Sequence, residues 1–247
     1  MIHVRALTDY ADLAQAVELQ KRIWGFADVD LLPTRLFVVA TKIGGQVFGA
    51  FDEERMIGYC LAIPGLKAGG EFYLHSHMLG VLPEYRDAKV GRRLKLAQRE
   101  EALARGVRLM EWTFDPLELK NAFFNIERLG CVIRRYVRNQ YGITSSQLDS
   151  GMPTDRCTAE WWLADTRVEA ILAGGALDRR AIEAAIEIPV AVAEWRTSDT
   201  KRARELQARV GDQFDDCFSR GLAVMGFERT ETAGRYLLGP WQSEAMP

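Results

Sequence analysis

The chain has 247 residues, of which 48% are hydrophobic and 27% charged, and its formal net charge is −2. That length suits one large domain, or a domain with an extension, and is ample for a real core. The charge balance gives no footprint for nucleic acid or a membrane surface, and no apolar run approaches the roughly 20 residues of a membrane span.

The opening MIHVRALTDY lacks the apolar stretch of a signal peptide. DYADLAQAVELQKRIWG places Leu13, Ala16, Val17, Gln20 and Trp24 on one helical stripe that Gly25 ends. PTRLFVVATKIGG predicts a second, short helix with Thr34 near its N-cap and two glycines at its end. QVFGAF and RMIGYCLAI, separated by DEE, read as a hairpin, and EFYLHSHMLGVL as a third strand. A basic helix, GRRLKLAQREEALARG, follows and closes at Gly106; VRLMEWTF is the next strand. PLELKNAFFNIERLG reads as a helix, again closed by glycine, and CVIRRYVR and CTAEWWL as strands joined by a polar loop from Asn139 to Arg156. Beyond Asp165 the pattern predicts a short helix over Val168 to Leu172, another from Asp178, and a strand EIPVAVAEW. A strong helix over Thr200 to Arg220 carries Ala203, Leu206, Val210, Phe214, Cys217 and Phe218 on one face, before a closing hairpin of LAVMGFER and RYLLGPW. The order predicts an α/β fold: a mixed sheet with one right-handed crossover unit over residues 1–165, and a C-terminal α/β extension, residues 166–247, packed on it.

Cys60, Cys131, Cys157 and Cys217 lie far apart with no C-x-x-C, which predicts buried thiols and a reducing, cytoplasmic setting. With only His3, His75 and His77, the ligand spacings of a zinc site are missing, and no metal is expected.

The stretch LGVLPEYRDAKVGRRL has a strand, a short polar loop and the start of a helix in succession. A loop that opens a helix presents unpaired backbone N–H groups, which suit an anion. Arg86, Lys89, Arg92 and Arg93 fit that role, and equally a solvated basic face. The stretch resembles the acyl-CoA-binding motif of the GNAT acetyltransferase superfamily, in which a strand ending L-x-V precedes a proline and R/Q-x-x-G-x-G/A. Leu79, Val81, Pro83, Arg86 and Gly91 match; Lys89 stands where the family has glycine. NAFFNIERLG resembles the family's following helix, and both matches fall in the right order. SHMLGV, WTFDPLELKNAFFNIERLG and GMPTDRCTAEWW further resemble one branch of the superfamily, which implies no particular acceptor.

The resemblance, over residues 1–165, implies a GNAT-like acyl-CoA N-acyltransferase fold. It implies acetyl-CoA as co-substrate, with its pyrophosphate at Arg86, Asp87, Ala88, Lys89, Val90, Gly91 and Arg92. The pantetheine arm would pair with Leu79, Gly80 and Val81, and be flanked by Asn121 and Phe124. A backbone N–H near Leu79 or Gly80 would polarise the thioester carbonyl. The partner would be a small-molecule or peptide amine, with no nucleic acid or membrane involved and a homodimer left open. The implied reaction is direct attack of that amine; the alternative is a non-catalytic acyl-CoA-binding or regulatory module.

For the general base, His75 and His77 share a strand face, and His77 lies nearer the pairing segment. Each is equally readable as a structural histidine. Glu111 could act through water, or be a strand carboxylate; Asp115, before Pro116, could cap the next helix. The family's usual acid, a tyrosine four residues before the glycine, is replaced by Ile126, with Tyr85 and Tyr136 as imperfect substitutes. Trp24 and Phe26 lie where the family builds its acceptor wall. Arg156, in the turn PTDR, could bind an acceptor carboxylate or close a loop salt bridge. The expected backbone at Lys89 is helical in type, with its ammonium turned to the phosphates.

Overall fold

The computed structural model describes residues 1–142, 151–176, 179 and 181–241. These divide into two compact units, Met1–Met110 and the described residues from Glu111 onward.

The first unit opens with β1 (Ile2–Ala6), α1 (Tyr10–Trp24) and α2 (Thr34–Lys42). Next come β2 (Gln46–Asp52), β3 (Arg55–Leu66), β4 (Phe72–Val81) and α3 (Val90–Ala104). The strands lie in the order β1–β2–β3–β4, every neighbour antiparallel. Of the predicted stripe on α1, Leu13, Ala16 and Gln20 are buried and Val17 and Trp24 half-buried, with Leu19 and Ile23 buried beside them. The helix stops where expected, at Gly25, whose φ of 66° lets its N–H reach Lys21 O at 3.0 Å. Phe37 and Ala40 of α2 and Val90 and Leu94 of α3 complete one hydrophobic core with Tyr59, Cys60 and Leu61 of β3.

The chain passes into the second unit within β5 (Leu109–Phe114), followed by α4 (Leu119–Phe123). The predicted helix is shorter than its sequence pattern, because Phe124–Arg128 widens into a π-turn before Gly130. Then come β6 (Val132–Val137), β7 (Arg156–Trp162), α5 (Thr166–Leu172) and β8 (Ala184–Pro189). The unit closes with α6 (Val192–Ser198), α7 (Thr200–Ser219), β9 (Leu222–Arg229) and β10 (Ala233–Pro240). Its strand order is β5–β7–β6–β9–β10–β8. The predicted strand EIPVAVAEW ends early: Pro189 closes β8, Val190 and Ala191 turn, and VAEWRTS is helical. The helix expected from Asp178 begins outside the described residues. The expected face of α7 is buried from Ala203 to Cys217, and Phe214 stacks on Tyr136 at 5.5 Å.

All four cysteines are buried. Among the described residues no helix is long and apolar enough to cross a membrane, and no group of three or more His, Cys, Asp or Glu is placed to hold a metal.

Candidate functional site

In the first unit, β4 runs into a tight 3-10 turn, Pro83–Ala88, and then into α3 through Lys89. Arg86, Asp87, Ala88 and Lys89 are exposed, Val90 is buried, and Gly91 and Arg92 are half-buried. No side chain of the capping residue closes the first turn of α3, so this end of a 15-residue helix keeps the backbone donors and the partial positive charge that favour an anion. Lys89 corrects the expectation of helical-type backbone. It sits at φ 59° and ψ 16°, in the left-handed region the family's glycine would adopt freely.

Left-handed backbone costs an L-residue about 1–2 kcal/mol, while glycine loosens the unfolded chain by a comparable amount. Lys89→Gly should therefore leave the melting temperature within a few degrees of the parent. It should weaken acetyl-CoA binding by at most about 1 kcal/mol, the worth of one exposed charge. Calorimetry at low and high salt checks this: the loss should fade as salt screens the charge.

Two glycines of the motif differ in what surrounds them. A Cβ on Gly80 would fall 2.5 Å from Trp24 and 2.8 Å from Ile23, so this glycine is required by the approach of α1. A Cβ on Gly91 would meet only Leu79 at 3.5 Å and Val81 at 4.0 Å, ordinary contacts. The chain's own packing therefore does not demand glycine at position 91, and the space it leaves fits a ligand's close approach.

His77 is the extra residue of a β-bulge. Leu61 of β3 pairs with Met78 and Ala62 with Ser76, leaving His77 over. Its ring lies 5.8 Å from that of His75, consistent with the shared face. His77 is exposed, yet the part of its ring that lies against the chain is desolvated enough to hold its pKa below the ordinary 6.5. A neutral imidazole at physiological pH can accept a proton. Trp24 and Phe26 stack at 5.7 Å.

In the second unit, Asn121 on α4 is exposed and Phe124, at the start of the π-turn, half-buried. Asn125, which sequence reasoning passed over, is buried and accepts from Trp112 Nε1 at 3.2 Å. Glu111 is buried and ion-paired to Arg135 at 2.7 Å, so its carboxylate is already engaged. Asp115 does not cap α4, which begins at Leu119 behind Glu118 with no side-chain cap: it accepts from Leu117 N at 2.8 Å in the turn before the helix, and is also bound by the buried Arg196 of α6 at 2.5 Å. Arg196 reaches Glu118 too, at 3.4 Å. Burial raises the pKa of Glu118, with Arg196 pulling against it. The Asp155 carboxylate does not pair with Arg156: it accepts from Tyr136 Oη at 2.6 Å and Asn139 N at 2.8 Å. Arg156 lies over Tyr141 at 5.6 Å and donates to the Asp155 carbonyl.

Neither substitute tyrosine has a free hydroxyl. Tyr85 donates to Asp52 at 3.0 Å, and that bond raises its pKa. Burial first, and then the bond to Asp155, raises Tyr136. Ile126 is fully buried.

Residues 13–130 match the model of the Acetyltransferase (GNAT) family. The chain carries a GNAT-family acetyltransferase domain. The match takes in β4, the turn, α3 and the helix that ends at Gly130, so His77, the loop from Arg86 to Arg92, Glu111, Asn121 and Phe124 all belong to the GNAT segment. Solved structures agree in fold. A protein assigned as an acetyltransferase from Salmonella typhimurium, solved with its cofactor acetyl-CoA, is 16% identical with a TM-score of 0.53, over 67% of this chain and 95% of that one. Arabidopsis thaliana NAA60, in complex with a bisubstrate analogue, is 15% identical with a TM-score of 0.53, over 66% of this chain and 98% of its own. A GNAT-family acetyltransferase from Streptococcus pneumoniae is 17% identical with a TM-score of 0.51, over 65% and 98%. No curated protein sequence matches the chain.

Proposed function

We propose that the chain moves an acetyl group from acetyl-CoA to an amine of a small molecule or peptide, by direct attack. The observation that carries this reading is the start of α3: an uncapped helix N-terminus behind a left-handed residue, with Gly91 in its first turn. It lies within the GNAT segment, beside the strand that bears a neutral-leaning His77. In this reading residues 1–165 form the acetyltransferase and residues 166–247 an extension.

Acetyl-CoA, when bound, supplies the thioester. The N–H groups from Asp87 to Gly91 bind its phosphates, aided by Arg86, Lys89 and Arg92. The backbone of Leu79, Gly80 and Val81 holds its arm. A backbone N–H at Leu79 or Gly80 polarises the carbonyl. As the new C–N bond forms and the C–S bond breaks, His77 takes the proton lost by the amine. Glu111 stays in its ion pair with Arg135 and serves structure rather than proton transfer. A sulfur leaving as thiolate needs no acid, which suits the engaged hydroxyls of Tyr85 and Tyr136.

Ile126 at the family's tyrosine position, with the hydroxyls of Tyr85 and Tyr136 engaged, favours a second reading, a module that binds acyl-CoA without turnover. Single-turnover acetyl transfer across a panel of amines separates the two, because a sensor leaves the thioester intact.

Gly91→Ala should fold like the parent, since its Cβ meets only ordinary contacts. Gly91→Glu should abolish acetyl-CoA binding, by filling the space and repelling the phosphates. Calorimetric affinity for Gly91→Glu equal to the parent's would place the coenzyme elsewhere.

A further inference from the structure

β4 changes the face it turns toward α3 partway along its length. Ser76 faces α3, where its Oγ accepts from Lys95 Nζ at 2.7 Å and donates to Gln98 Oε1 at 3.0 Å. Leu79 and Val81 also face α3, being the neighbours of Gly91. Strict alternation would put residues 76 and 80 on the same side, yet Gly80 faces Trp24 and Ile23 of α1. The bulge makes the switch, with His77 as the added residue. A slip of one residue in a strand exchanges every side chain between its faces. The presentation of His77 therefore depends on whatever keeps the extra residue at position 77 and not one place along.

Ser76 is the adjoining anchor. It is 4% exposed, and its partners on α3 are as deep, Lys95 at 2% and Gln98 at 0%. The network continues to Gln46 of β2, whose Nε2 donates to Gln98 O at 2.9 Å and to Glu101. Stability alone does not select such an arrangement. Gln46 Oε1 and Gln98 Nε2 lack hydrogen-bond partners among the described residues, and a partly satisfied buried network is worse than an apolar core. What a buried polar tie does supply is register.

We propose that Lys95 and Ser76 are positioning residues for His77: through their hydrogen bond, α3 pins the β4 bulge, so the helix that receives the phosphates at its N-terminus also sets the proton acceptor. This rests on the acetyltransferase reading for its function, and on the bulge geometry alone for its structure.

Ser76→Thr and Ser76→Val add the same volume and differ only in the hydroxyl, so their comparison isolates the tie. With three histidines in the chain, each imidazole can be followed by nuclear magnetic resonance as pH is varied. Ser76→Thr should keep His77 titrating below 6.5. Ser76→Val should move His77 up toward 6.5 as the ring loses its partial burial. If Ser76→Val does not fold, Lys95→Met, which removes the donor and keeps the chain length, carries the same expectation. Unchanged His77 titration in the folded Val or Met variant overturns the proposal. Acetyl-CoA calorimetry on the parent runs alongside: no affinity there would end the acetyltransferase reading, while the titration would still decide the role of the tie.

Discussion

Replacing Arg196 by Met should lower stability by about 3 kcal/mol, a melting temperature lower by roughly 10 °C in a chain of this size. The guanidinium is 6% exposed, and its main partner, the Asp115 side chain, is 14% exposed. Removing one member of a buried pair leaves the other charged in a poorly solvated place, and that stranded charge is the source of the loss. Asp115 also holds the turn into α4 through Leu117 N, and Tyr236 of β10 donates to Pro116 O in that turn. Arg196 of α6 and Tyr236 of β10 thus fix the turn that enters α4, the helix that carries Asn121. The pH dependence has a definite sign. Glu118 has a raised pKa from burial, which Arg196 opposes. Without Arg196 it rises further, so the carboxyl takes a proton more readily as pH falls. The deficit of Arg196→Met should accordingly be largest at neutral pH and shrink toward acid pH. Arg196→Met combined with Asp115→Asn should recover part of it. A variant melting within a degree of the parent at pH 7 would show that the pair contributes nothing.

His77→Ala should reduce kcat at neutral pH by roughly 100-fold, the usual worth of a positioned general base, with acetyl-CoA affinity unchanged. The parent's rate should fall on the acid side as the imidazole takes up a proton and can no longer accept one. Because partial desolvation lowers the pKa of His77, that limb should lie below pH 6.5. In His77→Ala the limb should vanish, leaving a slow rate set by solvent. A limb at the same pH in both proteins would assign the proton transfer to another group.

The fold was legible where a local signal decides. Gly25 stops α1, the turn DEE makes the hairpin, and the apolar stripe of α7 is buried as read from Ala203 to Cys217. The reading failed at VAVAEW, where alanine and valine run on from a true strand. There only Pro189, and the spacing of Val192 and Arg196 on one buried face, mark a helix. In the candidate loop the succession of strand, turn and helix was legible, through the order strand, proline, glycine and basic run. The backbone of Lys89 was not, because nothing about a lysine asks for positive φ; the turn before it imposes that conformation. Buried charges were the least legible. Arg196 meets Asp115 across 81 positions and Lys95 meets Ser76 across 19. A charged residue read alone is an exposed one, and only tertiary structure supplies its partner.

The deep seating of the cysteines bears on how turnover can be watched. The Cys60 thiol is pushed up to about 12 by burial, and Cys157 and Cys217 are raised for the same reason. Sulfhydryl dyes react with the thiolate, so the native chain should leave such a dye colourless at neutral pH. Coenzyme A released by transfer would then be the source of colour, with no blocking of the protein beforehand. Colour that develops before any thioester is added would count the chains that have come open.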